Sequence, residues 1–263
     1  MPEGHTIHRI ALDHGRLLAG QRVGVSSPQG RFVDNAKLVD GRLLHKVEAY
    51  GKHLFYWFEG ADLIHVHLGL FGKYKIHQGD EPGPAVRLRL QNGVGDVIDL
   101  AGPTDCSLMN PPERDGIVAR LGPDPLRRDG SQERFVSKVL ASKRAIGLLL
   151  MDQSVVSGVG NVYRAESLFL LGIHPELLGC ELTPERCAEL WVLLRKLLKA
   201  GMRADRIVTV DRSEVKLPRG RALKRGEATY VYKREVCLRC GSAVRCWDWA
   251  GRVCYACPTC QPR

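Results

Sequence analysis

Cys237-Leu238-Arg239-Cys240 and Cys257-Pro258-Thr259-Cys260 stand near the end of a 263-residue chain as two hairpin-like knuckles, sixteen residues apart. This spacing lets four thiolates converge on one tetrahedral zinc ion. With every ligand position filled by cysteine, none stays open for a catalytic water, so a structural zinc is expected. A metal-free or iron-bearing site is the alternative. A redox role would need only one such pair, in a βαβ setting that neither pair has. Between the knuckles Val244, Cys246, Trp247 and Trp249 read as strand material around a Gly251-Arg252 turn, so the metal staples a two-stranded hairpin whose tip projects Arg252. Arg252 is then either a plain exposed turn arginine or a guanidinium fork held out for phosphate. The other cysteines (Cys106, Cys180, Cys187, Cys246 and Cys254) have no ligand-like spacing. An odd total of nine argues against a disulfide framework, and most of the five read as buried free thiols.

Outward from this module the chain is basic, with 39 Lys/Arg against 29 Asp/Glu and a net charge of +10. Ten Lys/Arg and three Glu lie between Arg212 and Arg245, so +7 of the +10 is concentrated there. Clustering of that kind is the footprint of a polyanion partner, through counterion release and steering. A composition 44% hydrophobic and 26% charged excludes wholesale disorder. The longest apolar stretch, Ala145–Met151, is far short of the ~20 residues that span a bilayer. The beginning carries Glu3, His5, His8 and Asp13 and no apolar export signal. A soluble cytoplasmic protein without membrane association is expected.

Two domains are expected, of α+β class. Residues 5–19 place Ile7, Ile10, Ala11, Leu17 and Leu18 on one helical face. From Arg22 to Leu100 the pattern changes to short β-like runs, such as 53–59, 62–68, 86–90 and 96–100, separated by Gly and Asp/Asn turns. That predicts an N-terminal helix on a sandwich or partly closed barrel. The Pro/Gly-rich stretch Gly102–Gly130 reads as the connection, after which helices are expected at 132–142, 145–152, 161–171 and 183–202. Thr183-Pro184-Glu185 supplies the last of these with its start signal. A basic, poorly periodic segment follows, then β-like Ala228–Lys233 and the cysteine hairpin. The corresponding boundaries are 1–110 for the sandwich domain, 111–130 for the linker, 131–226 for the helical domain and 227–263 for the finger.

Two further motifs bear on chemistry. Removal of Met1 leaves Pro2 with a secondary amine whose pKa is roughly 8, partly neutral and nucleophilic at cellular pH. Such an amine can attack a sugar C1′ and form an iminium, with Glu3 beside it as general acid or base. Gly158-Val159-Gly160-Asn161 lies between helical segments, where amides opening a helix face anions. Taken alone, that is also what an ordinary helix–turn–helix loop contains.

In register, these motifs are joined by Gly51-Lys52, His67-Leu68-Gly69-Leu70-Phe71-Gly72 and Leu121-Gly122-Pro123-Asp124-Pro125-Leu126. Leu150-Met151-Asp152-Gln153, Asn161-x-Tyr163, Gly172-Ile173-His174-Pro175 and terminal Gln261 complete the set. Over essentially its whole length the chain resembles the formamidopyrimidine-DNA glycosylase/endonuclease VIII family. The resemblance implies a base-excision-repair enzyme, both glycosylase and AP lyase, with damaged double-stranded DNA held between a β-sandwich domain and a helix–two-turn–helix domain, one structural zinc, and monomeric action. It implies Pro2 as Schiff-base nucleophile, Glu3 as the acid that assists base release, and Lys52 as proton donor for β-elimination. Arg252 would grip phosphate and serve δ-elimination, while Arg120 and Asn161 contact DNA. Leu70 and Phe71 suit the gap left by an extruded nucleotide, since apolar wedges fill such gaps. Glu166 stands where the family often has Glu, with no role legible in the sequence.

Gly4 and the Leu70-Phe71 pair are similar to the endonuclease VIII branch, which acts mainly on oxidised pyrimidines. Departures are His5-Thr6 in place of Pro-Glu, Gly69 where that branch can carry Gln, and Gly102–Leu108, which matches neither branch. The lesion-facing region, expected within Arg206–Glu227, is also individual. The other readings are the same enzyme acting on oxidised purines, ring-opened bases or mainly abasic sites, and a zinc-stapled protein that binds damaged DNA without cutting it.

Overall fold

Two antiparallel sheets organise the first half of the chain. The computed structural model describes residues 2–79, 81–214, 223 and 225–263, and the chain divides into a unit Met1–Arg120 and a unit Leu121–Arg263. The first unit runs α1 (Gly4–Leu18), β1 (Gln21–Arg22), β2 (Gly24–Ser26), α2 (Val33–Val39), β3 (Leu43–Tyr50), β4 (His53–Phe58), β5 (Leu63–His67), β6 (Lys73–Gln78), β7 (Val86–Gln91), β8 (Asp96–Ala101), β9 (Asp105–Met109) and α3 (Pro111–Ala119). One sheet has the order β1-β3-β4-β5-β9 and the other β2-β7-β8-β6, all neighbours antiparallel.

Leu54, Tyr56 and Phe58 of β4 and Ile64 and Val66 of β5 meet Leu88, Leu90, Ile98 and Leu100 of the second sheet in one core. This is a sandwich, closed at one side by Ile7, Ala11 and Leu18 of α1. Each large side chain so buried contributes roughly 1.5–3 kcal/mol. Outside that core, Arg89 donates to both Asp99 oxygens at 2.7 Å while His77 Nε2 lies 2.9 Å from Asp99 Oδ2. Burial would raise the Asp99 pKa, but the hydrogen bonds from Arg89 and His77 outweigh it and hold the carboxyl below its ordinary value.

The expected connection Gly102–Gly130 is largely structured. Asp105–Met109 pairs with β5 as the edge of the first sheet. In α3 the Asn110 side chain accepts from Glu113 N at 3.0 Å, and the Glu113 carboxylate accepts from Asn110 N at 2.8 Å. With Pro111 and Pro112 at its first positions, this reciprocal cap starts a helix where prolines suggested a linker.

The second unit contains α4 (Gln132–Leu140), α5 (Ile146–Leu149), α6 (Asn161–Leu170), α7 (Pro184–Ala204), β10 (Arg245–Trp249) and β11 (Arg252–Ala256). Thr183 caps α7 through Arg186 N at 3.3 Å, as its sequence predicts. The helix expected over 145–152 is only one turn, because Asp152 ends it by accepting from Ser154 N and Oγ at 3.0 and 2.6 Å. The helices close on Phe135, Ile146, Leu149, Leu168, Leu190, Trp191 and Leu194. Residues 228–233 are bends and turns, not the strand their composition suggested. No helix among the described residues is long and apolar enough to cross a membrane.

Candidate functional site

In the first unit the candidate residues lie at the start of α1, in the β3–β4 turn, in the β5–β6 turn and at the end of α3. Glu3 is fully buried as N-cap of α1, its carbonyl accepting from Thr6 N at 2.9 Å, and half-buried Pro2 precedes it. A carboxylate is favoured at the positive end of a helix dipole. The helix packs on β3 and β4, whose connecting turn carries Lys52. The Lys52 ammonium, after burial, is among the causes that lower the pKa values of His53 and His67.

Leu70 and Phe71 project from the β5–β6 turn, 52% and 82% exposed. Neither side chain is part of the sandwich core. Gly69 beside them has φ +63°, and a Cβ there would lie 1.8 Å from Thr104 Oγ1 and 3.0 Å from Thr104 Cβ. The left-handed φ and the close Thr104 side chain favour glycine at this position. Arg120 is exposed at the C-cap of α3 and contributes to the lowered His53 pKa.

In the second unit the finger is joined to α6. Ala250 and Gly251 form its turn, both with positive φ (48° and 74°), as a two-residue hairpin requires. Arg252 is therefore not at the turn itself but opens β11, exposed and paired with Trp249. One residue on, the Val253 carbonyl accepts from Asn161 Nδ2 at 3.0 Å and from Arg164 Nη2 at 2.9 Å. Arg164 Nη2 also donates to Asn161 Oδ1. The Asn161 amide thus serves the α6–β11 seam.

The four cysteine sulfurs lie within 4.8 Å of one another, with Cys240–Cys257 at 3.4 Å and Cys237–Cys260 at 4.0 Å. A tetrahedron of Zn–S bonds near 2.3 Å has edges of about 3.8 Å, whereas a disulfide needs about 2.05 Å. The donor set fits zinc. The buried Gln261 anchors this knuckle, accepting from Cys257 N at 3.0 Å and donating to the Ile173 carbonyl at 2.8 Å. Of the remaining cysteines only Cys187 and Cys254 are buried. Cys106 is half-buried, and Cys180 and Cys246 are exposed, contrary to the reading of most as buried.

Three features were not legible in the sequence. The first is the Arg164–Asn161–Val253 seam. The second is Glu166, fully buried, whose carboxylate accepts from Thr209 Oγ1 at 2.5 Å and from the backbone N–H groups of Tyr230, Val231 and Tyr232 at 2.7–2.9 Å. Burial raises its pKa against the pull of those hydrogen bonds. It also explains why 228–233 is not a strand, since this carboxylate has taken the N–H groups a ladder would use. The third is a row of His53, His65 and His67 on paired strands, detectable only as the alternations His53-x-Phe55 and His65-x-His67.

Residues 1–103 match the model of the formamidopyrimidine-DNA glycosylase N-terminal domain and residues 121–213 that of the formamidopyrimidine-DNA glycosylase H2TH domain. The chain is 43% identical over 268 residues to endonuclease 8 1 of Mycobacterium tuberculosis (strain H37Rv), covering 99% of this chain and 100% of that protein. It is 36% identical over 276 residues to probable endonuclease 8 2 of Streptomyces coelicolor, covering 99% and 94%. Among solved structures it superposes on the Lactococcus lactis Fpg in complex with abasic-site DNA at a TM-score of 0.82, with 22% identity and coverage of 99% and 100%. For the Thermus thermophilus MutM (Fpg) protein the TM-score is 0.79, with 28% identity and coverage of 99% and 98%. A sandwich carrying an N-terminal Pro-Glu, followed by a helical domain with a four-cysteine finger, defines a base-excision DNA glycosylase fold. The chain belongs to the formamidopyrimidine-DNA glycosylase/endonuclease VIII family, and its relationships lie on the endonuclease VIII side.

Proposed function

We propose that this chain is a bifunctional DNA glycosylase and AP lyase that removes oxidised bases, mainly pyrimidines, from damaged double-stranded DNA. The observation that carries the reading is the full-length 43% identity to an endonuclease 8, in a chain that keeps Pro2, Glu3, Lys52 and Arg252. With Met1 removed, the Pro2 nitrogen attacks C1′ of the extruded nucleotide. The C1′–N-glycosidic bond breaks and the base leaves with a proton supplied through Glu3. The C1′–O4′ bond of the resulting aminal then opens, O4′ taking a proton, and the nitrogen lone pair forms the iminium that joins protein and sugar. Loss of a C2′ proton then expels the 3′ phosphate by β-elimination, with Lys52 as the proton-transfer group. Arg252 holds phosphate during the second, δ-elimination. Asn161 and Arg120 contribute phosphate contacts, and Leu70 and Phe71 fill the vacated stack.

Zinc held by Cys237, Cys240, Cys257 and Cys260 staples the hairpin that presents Arg252, supplying structure and no chemistry. The lesion-facing segment expected within Arg206–Glu227 includes residues 215–222 and 224, which lie outside the described residues. Substrate class is tested by single-turnover excision from duplexes carrying thymine glycol, 8-oxoguanine or an abasic site. Faster excision of thymine glycol is the expected result. A preference for 8-oxoguanine would move the protein to the purine-directed reading.

A further inference from the structure

On the face of the first sheet opposite the sandwich core, β4 presents His53 and Phe55, β5 presents His65 and His67, and β9 presents Asp105. The register places His53 against His67, Phe55 against His65, and His67 against Asp105. The rings form a continuous group, with His53–His65 centroids at 5.1 Å and 19°, Phe55–His65 at 5.0 Å and 23°, and His53–His67 at 5.0 Å. Two contacts order it. His65 Nδ1 lies 3.0 Å from Asp105 Oδ2, and His53 Nδ1 lies 2.9 Å from His65 Nε2.

Asp105 biases the protons in this chain. Its Oδ2 is in ion-pair range of His65 Nδ1 without the alignment of a hydrogen bond, and a carboxylate so close favours the proton on Nδ1. Neutral His65 then accepts on Nε2, which makes His53 the donor through Nδ1–H. His53 Nε2 is left as a lone pair, and it hydrogen-bonds to none of the described residues. The groups around His53 are Lys52 in the preceding turn, Arg120 after α3, His65 and His67 on β5, Asp105 on β9 and Tyr50 opposite it on β3. Further along the face, Glu48 is paired with Arg114 at 2.8 Å. Burial first, then His65, His67, Lys52 and Arg120, lower the His53 pKa to about 3, so the ring is neutral before any anion arrives.

We propose that Asp105, His65 and His53 form a relay that makes DNA binding proton-linked, one proton entering at His53 Nε2 when a phosphodiester seats beside Lys52 and Arg120. This rests on the DNA-binding reading above. A phosphate oxygen offers only acceptor lone pairs, so it cannot approach the lone pair of neutral His53 favourably. Protonated at Nε2, His53 becomes a charge-assisted donor. Its positive charge is then supported through His65 by the Asp105 carboxylate. Because binding favours the protonated ring, affinity is highest at low pH and falls as pH rises through the pKa of His53 in the complex.

The test uses the full-length zinc-loaded protein and a duplex with a tetrahydrofuran abasic-site analogue. Kd is measured at fixed ionic strength from about pH 6 to about pH 8, the range in which a histidine changes charge. Calorimetry in two buffers of different ionisation enthalpy counts the protons taken up. Wild type is expected to lose affinity more steeply than His53→Gln, by up to about tenfold per pH unit for one linked proton, and to take up more protons. In Asp105→Asn, whose parent side chain is 46% exposed, the fall in affinity should shift to lower pH, which loss of packing would not cause. Parallel pH profiles and equal proton counts in wild type and both variants overturn the relay while leaving the DNA-binding reading intact. Failure of folded wild type to bind the duplex at any pH overturns that reading, and the relay with it.

Discussion

Replacing Glu166 by Ala should destabilise the second unit, because it removes one carboxylate on which three backbone donors depend, whereas Thr209 Oγ1 keeps the Ala228 carbonyl as an acceptor at 3.1 Å. Those donors are the N–H groups of Tyr230, Val231 and Tyr232, and Glu166 itself has no exposure to solvent. Each buried donor left without a partner costs about 1–3 kcal/mol. Water entering the vacated volume recovers part of this, so the lower end, about 3 kcal/mol for three donors, is the working figure. At about 3 °C per kcal/mol for a unit of this size, melting should fall by about 9 °C. Glu166→Gln is a graded control. Each oxygen serves two donors, and the hydroxyl of Thr209 can turn to accept from an amide. If that oxygen is the one replaced, only Tyr230 N–H is orphaned, and the cost drops to about 1–3 kcal/mol. Scanning calorimetry of the three zinc-loaded proteins should give the order wild type, Gln, Ala. An Ala variant melting within about 2 °C of wild type, less than 1 kcal/mol by the same conversion, would refute the assignment of these bonds as the clamp on 228–232.

Three further outcomes are expected. Asp99→Asn breaks a buried bidentate pair with Arg89, costing about 3–5 kcal/mol in chemical denaturation. Since the folded-state pKa of Asp99 is lowered, the wild-type advantage is full above the unfolded value of about 3.9 and disappears as pH falls through the folded value. Phe71→Ala removes a side chain already 82% exposed, so stability should change by less than about 0.5 kcal/mol, while affinity for lesion duplex over undamaged duplex should fall. Cys257→Ser should leave zinc substoichiometric by metal analysis and weaken DNA binding and strand cleavage while the sandwich keeps its fold. Full activity without bound metal would contradict the structural role.

What can be read from the sequence follows how local each determinant is. Helix α1, predicted over 5–19, runs Gly4–Leu18, because its apolar face lies within one segment. Thr183-Pro184 announces α7 because a cap and its helix are neighbours. The cysteine cluster is legible because the knuckle spacing itself sets the geometry. Strand β9 escapes because its side chains are all half-buried and give no alternation, its pairing with β5 being the deciding contact. The start of α3 is in plain view as Asn110-Pro111-Pro112-Glu113, but prolines in a Gly-rich stretch read equally as linker. Glu166 and the histidine row depend on partners 12 to 66 positions away. The role of Asn161 shows a further limit, since a motif locates the residue but not which partner its amide selects.

The central claim is covalent catalysis by the Pro2 amine, and borohydride trapping on a duplex with one abasic site tests it most directly. Wild type should form a stable protein–DNA adduct, and Pro2→Gly, with finger and fold intact, should form far less. No adduct from zinc-loaded wild type that still binds the same duplex would contradict the claim and leave a protein that recognises damaged DNA without cutting it.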